Sequence, residues 1–183
     1  MGFFDRFKSK PESGGDDFDP LHMELGKMKV GYYVDYDLKT WKVTAYNRYD
    51  YGEGYFGDEW ELEADGETRY LEREEDDEVS WTLSRKLPIG AIDGNIRQQI
   101  IDNEDPPDQV TVKGKTYYMD ESGSGHLYKD GKGDGVPFIC WDYESEDGES
   151  VLAIEQWGET DFEASEGIYV EDYQFSNILP GAD

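Results

Sequence analysis

The chain is poor in the residues on which most active-site chemistry depends. Among its 183 residues there is one cysteine, Cys140, and there are two histidines, His22 and His126. A lone cysteine excludes an internal disulfide, and with only two histidines beside it a structural zinc site is excluded as well. Nucleophilic catalysis needs a Ser or Cys next to an activating base. His22 follows a linker-like stretch and His126 lies in a Gly/Ser-rich one, so both read as surface residues, while Cys140 between Ile139 and Trp141 reads as core packing. The expectation is a non-catalytic protein with no cofactor.

Long apolar runs are also missing. The best candidate, VPFIC at 136–140, stops far short of the ~20 apolar residues that a spanning helix requires. The opening MGFFDRFKSKP meets an acidic residue at once and has no apolar run before small residues, so no secretory signal is expected and the compartment expected is the cytoplasm. Basic residues are scarce: 17 Lys and Arg stand against 44 Asp and Glu, for a net charge of -27. Binding of nucleic acid, which relies on clustered cations against phosphates, is excluded. Cationic partners are left: basic proteins, polyamines or metal ions. The plainer reading of the acidity is solubility.

Val, Ile, Leu and Phe make up just under a fifth of the chain, a composition that approaches disorder. The 14 Tyr and 5 Trp supply the missing bulk, since each buried aromatic removes ~150–250 Å² from water. An aromatic-rich core is expected.

Along the chain, residues 1–23 read as a leader and linker, with Phe3, Phe4 and Phe7 at helical spacing as a candidate site for docking an unknown protein partner. From Lys27 the apolar period becomes two, through Met28, Val30, Tyr32, Val34 and Tyr36, and after a turn at Asp37-Leu38-Lys39 it resumes with Trp41, Val43 and Ala45. Trp60, Leu62 and Ala64 then oppose Glu61 and Glu63, and Asp65-Gly66 offers the positive backbone angles of a tight hairpin. IRQQII at 96–101 is the one place where a short helix is expected, and Asp105-Pro106-Pro107-Asp108 breaks the chain.

The second half echoes the first. DLKTWKV at 37–43 matches KGKTYYM at 113–119, and an offset of 81 places Trp60 on Trp141, Leu71 on Leu152 and Trp81 on Phe162. SGSGHLYKDGKGDGVP reads as a flexible loop in the second copy, and YVEDYQFSNIL at 169–179 as a closing strand. The fold expected is all-β, with duplicated antiparallel meander units over 24–104 and 105–183 packed as one compact domain, either as a sandwich or as paired small barrels, and at most one or two short helices.

VGYYVDYDLKTWKV, GDEWELE followed by RYLERE, YYMDESGSG, and the glycine-containing close of the second half resemble the bacterial and archaeal family called domain of unknown function 4178, over roughly residues 24–179. The resemblance implies a β-rich accessory or binding protein and carries over no catalytic set. For small ligands the residues themselves suggest a groove for a polyamine or divalent metal, with Glu61, Glu63, Asp142 and Glu144 beside Trp and Tyr faces. Trp rings are expected inward and carboxylates in water. DGKGDG at 130–135 and ESEDGE at 144–149 set carboxylates near glycine as calcium loops do, but the first puts Lys132 at a ligand position and lacks the closing Glu, so it departs from the helix-loop-helix calcium pattern.

Overall fold

The computed structural model describes residues 23–75 and 78–181. The candidate docking residues Phe3, Phe4 and Phe7, and His22, lie outside that set.

Two five-strand antiparallel meanders follow one another. The first runs through β1 (Tyr33–Tyr36), β2 (Lys39–Gly52), β3 (Tyr55–Ala64), β4 (Glu67–Glu75) and β5 (Val79–Leu87). The second runs through β6 (Gln109–Val112), β7 (Lys115–Lys129), β8 (Val136–Ser145), β9 (Ser150–Gln156) and β10 (Phe162–Tyr169), and β11 (Ser176–Leu179) follows. The short helix expected near 96–101 is α1 (Ile96–Asn103). Tight turns join the strands where the chain tolerates positive φ: Asp37 and Leu38, Asp65 and Gly66, and Lys113 and Gly114 all lie in that region, the geometry that matches strand twist in a two-residue hairpin.

β5 pairs with β10, and β2 pairs with β7 from Asn47↔Lys129 to Asp50↔His126. These two seams close β2–β5 and β7–β10 into one eight-stranded barrel, in place of the sandwich or paired small barrels expected. β2 and β7 are the longest strands because each first pairs with a flanking strand and then bends into the barrel wall. A register shift sits at the bend in each, between Val43 and Ala45 and between Met119 and Glu121. β1 with β11 extends from β2, and β6 extends from β7. The C-terminal strand therefore lengthens an edge and closes nothing.

The segment expected to be a flexible loop is largely strand, since Ser122 to Lys129 belong to β7. Its glycines serve the seam. A Cβ on Gly125 would come within 2.5 Å of the Asp50 carbonyl and 3.1 Å of the Phe138 ring, so only glycine lets β2 and β7 approach there. At the other end of the chain the alternating pattern overreached: Leu25–Lys27 is a 3₁₀ turn, and strand begins only at Tyr33. The Trp60 indole donates to the Met28 carbonyl at 3.0 Å and holds that turn against the wall.

Burial explains the architecture. Trp41, Trp60, Leu62, Leu71, Trp81 and Leu83 form one core with Val34, Ile178 and Phe175, on the outer face of the first half-barrel beneath β1 and β11. Trp141, Tyr143, Leu152 and Ile154 form another with Ile96, Ile100, Val110 and Val112, beneath α1 and β6. Trp141 donates to Asp105 at 2.9 Å and the Tyr143 hydroxyl to the Pro107 carbonyl at 3.0 Å, so the proline-containing segment seals the second core. The Trp rings of both cores are thus buried as expected, but outside the barrel wall and not around its axis. With the outer faces covered, strand alternation turns the polar positions inward.

Candidate functional site

The inward positions form a lumen rich in carboxylates. β3 contributes Glu59; β4 contributes Tyr70, Glu72 and Glu74; β5 contributes Ser84 and Lys86; β8 contributes Phe138, Cys140 and Asp142; β9 contributes Glu155. From β2, Tyr49 and Tyr51 close the ring. The open end is a cavity of about 550 Å³, lined also by Tyr55, Asp120, Glu121, Glu144 and Tyr169. It continues into a narrow lobe of about 50 Å³ around Glu59, Lys86 and Glu155.

In the narrow lobe the charge is answered. Lys86 Nζ lies 2.6 Å from Glu163 Oε2 and 3.5 Å from Glu155 Oε2, and 5.2 Å from the Tyr70 ring centroid. Burial alone would lower the Lys86 pKa, but these carboxylates outweigh it and hold the ammonium charged. Glu59, only 7% exposed, accepts from Asn47 at 2.8 Å and Tyr49 at 3.4 Å. Burial raises the Glu155 carboxyl to about 7 in spite of Lys86, with Glu59 adding to the rise.

In the wide lobe no cation among the described residues answers the acids. Glu72 accepts from the Tyr51 hydroxyl at 3.2 Å, and Glu74 from the Tyr55 hydroxyl at 2.7 Å. Burial pushes the Glu72 carboxyl well above its usual range, and Glu74 and Glu59 push it further. Asp142 is raised to about 7 by burial and then by Glu74 and Glu155. Its hydrogen-bonding partner among the described side chains is the Cys140 thiol, a weak donor. Burial and the neighbouring Asp142 in turn raise the Cys140 pKa, so the sulfur stays a thiol within the small cluster of Tyr49 and Phe138. Where the two lobes meet, Phe138 packs edge-on to Tyr49 and Tyr51, with ring centroids 5.4 and 5.9 Å apart, and the two tyrosines stack on each other.

Of the four acids read from the sequence as candidate cation ligands, Asp142 and Glu144 line the cavity. Glu61 accepts from Thr44 at 2.8 Å and does not line it. Glu63 pairs in register with Lys42 and is exposed. The residues that do most to define the lumen, Glu59, Glu72, Glu74, Lys86 and Glu155, were not singled out. The alternation that marks them is plain in ERE at 72–74 and AIE at 153–155, but a polar strand face is ordinarily the wet outer one. The turns at Gly131 and Gly148 serve the hairpins: Asp147 accepts from Ser145 at 2.5 Å and from the Glu149 amide at 3.1 Å. His126 lies exposed on β7 at the seam. Among the described residues no three metal-ligating side chains converge on one point, and no helix is long and apolar enough to cross a membrane.

A family model described as a domain of unknown function (DUF4178) matches residues 29–172. The chain belongs to this family. An uncharacterized protein of Aquifex aeolicus (strain VF5) is 29% identical over 183 residues, covering 98% of this chain and 99% of its own length. No solved structure matches. The family span includes both seams of the barrel and every lumen residue named above.

Proposed function

We propose that this DUF4178 member is a non-catalytic binding protein that takes a small cationic ligand into the wide lobe of its barrel. The observation that carries this reading is the imbalance inside the lumen: Glu72, Glu74 and Asp142 face a cavity of about 550 Å³ whose described lining contains no Lys, Arg or His. Buried carboxylates are ordinarily paired or neutralised. Here they are kept beside open space and tyrosine faces, the surroundings in which a cation is held by charge and by aromatic quadrupoles. The coarse reading covers small cations as a class, with polyamines better suited than divalent metals because no three ligating side chains converge among the described residues, and its seat is the lumen in place of the outer strand faces.

The test is calorimetric titration of the full chain with small cations near physiological ionic strength, beside an Asp142→Asn variant. Saturable heat that the variant loses supports the reading. Heat that disappears with added salt and is indifferent to Asp142 removes it.

The two meanders are also best understood as one unit used twice. In support, the strands of each meander pair in the same sequential antiparallel order, although the register is not identical: Trp60 on β3 opposes Leu71, whereas Trp141 on β8 opposes Ile154, two positions beyond the Leu152 that a strict repeat would place there. Glu61 and Asp142 follow these tryptophans on strands of the same length. Comparison of the two halves after each is superposed on the other tests this, with a shared backbone path from β2 to β5 and from β7 to β10 as the expected result.

A further inference from the structure

Resting on the lumen reading above, we infer that the ligand is a linear aliphatic polyamine, with protonated amines separated by three or four methylenes, lying along the barrel axis beyond the end of Lys86. The chain itself shows how this lumen treats an alkylammonium. Lys86 lays a four-carbon stem along the narrow lobe and brings its partly exposed ammonium to the rim, beside Glu155 and the exposed Glu163 and over the face of Tyr70. The wide lobe repeats that environment with Glu72, Glu74 and Asp142 beside Tyr51 and Tyr55, and provides no ammonium of its own among the described residues.

Asp142 is the second observation. Its carboxylate is partly buried in the wall, opens on both lobes, and has the Cys140 thiol as its nearest weak donor among the described residues. An acceptor in that position calls for N–H donors. A protonated amine brings several, whereas a quaternary ammonium or a bare metal ion brings none.

Spacing separates an extended ligand from a compact one. Glu72 and Glu74 are two positions apart on β4, and Asp142 and Glu144 two positions apart on β8, with all four lining the cavity. Two residues of strand advance about 6.6 Å, close to the reach of a four-methylene spacer between two amines. The carboxylates are thus strung along the wall, and no three converge as an inner-sphere metal site demands.

The experiment is isothermal titration of the full chain at about 0.15 M ionic strength with butylamine, 1,4-diaminobutane, spermidine, tetramethylammonium and calcium. Affinity is expected to rise by about tenfold with each added ammonium. Asp142→Asn is expected to weaken spermidine by about tenfold or more, while Glu63→Gln on the outside leaves it unchanged. If Asp142→Asn does not fold, Glu74→Gln on the other wall carries the same expectation. Tetramethylammonium, calcium or butylamine binding as tightly as spermidine overturns the polyamine class and leaves a cation-binding lumen standing. Failure of every cation to bind, or equal weakening by Glu63→Gln, overturns both.

Discussion

The two lobes of the lumen are built from the same materials and treated differently. At the outer end of the narrow lobe the partly exposed Lys86 is paired with Glu155 and with the exposed Glu163, and Glu59 is hydrogen-bonded by Asn47 and Tyr49. In the wide lobe Glu72 and Glu74 have one tyrosine hydroxyl each, and Asp142 has a thiol. Where the barrel is tight, the fold supplies its own cation; where it is open, no described residue supplies one. Burial strains carboxyls in both lobes, Glu155 included, but the acids left without a protein cation among the described residues are the ones beside room for a guest.

The largest effect expected from breaking that contrast is at Lys86. Lys86→Met strips the narrow lobe of its cation and leaves Glu155 and Glu163 unanswered, at a cost of about 2–3 kcal/mol once partial exposure is discounted. Urea unfolding measures it, and butylamine is expected to restore part of the loss by occupying the vacated position. A variant as stable as the parent contradicts the pairing.

Next comes pH. Burial raises the Asp142 and Glu155 carboxyls to about 7, well above the usual carboxyl range. Groups raised in this way contribute stability that is complete below the unfolded pKa and is lost as pH rises through the folded one. The ligand-free protein is expected to melt about 5 °C or more lower at pH 8 than at pH 5, and a saturating polyamine is expected to narrow that gap. Asp35, Glu67 and Asp147 are lowered by their hydrogen bonds, to Thr40, Lys39 and Ser145 respectively. They weaken the fold only in more acidic solution, so the optimum lies between the two ranges. A melting temperature that climbs from pH 5 to 8 breaks the account.

Smaller and opposite in sign is Glu72→Gln. Removing one charge from the wide lobe relieves repulsion from Glu74 and Glu59 and is expected to add about 1 kcal/mol to stability while weakening cation binding. Least of all is Glu63→Gln on an exposed face, expected within about 0.5 kcal/mol of the parent. Chemical denaturation of the pair separates a lumen carboxylate from a surface one.

Much of this architecture was legible in the chain. Asp37, Asp65-Gly66 and Trp60 marked hairpins and a buried face, and Ile96 to Ile101 marked the helix, because turn chemistry and alternation act locally. What alternation cannot say is which side of a closed sheet is the inside. Trp60 and Trp141 are buried as expected, but by β1, β11, α1 and β6 lying over the barrel, and that layering depends on contacts remote in sequence. The β2–β7 seam was hidden for the same reason, and the glycine that permits it, Gly125, lies in a Gly/Ser stretch that reads as a loop. Of the candidate acids, Asp142 and Glu144 reached the cavity; Glu72, Glu74 and Glu155 passed unnoticed because a strand face rich in carboxylates was assigned to solvent.

Titration of the side-chain carboxyl carbons by NMR in the ligand-free protein addresses the inward-facing carboxylates most directly. The lumen described here predicts a distinct set, including Asp142 and Glu155, with midpoints near the values of about 7 given above, and the Asp142 signal gone in Asp142→Asn. All carboxyls titrating below about 5, as solvent-exposed ones do, would contradict it.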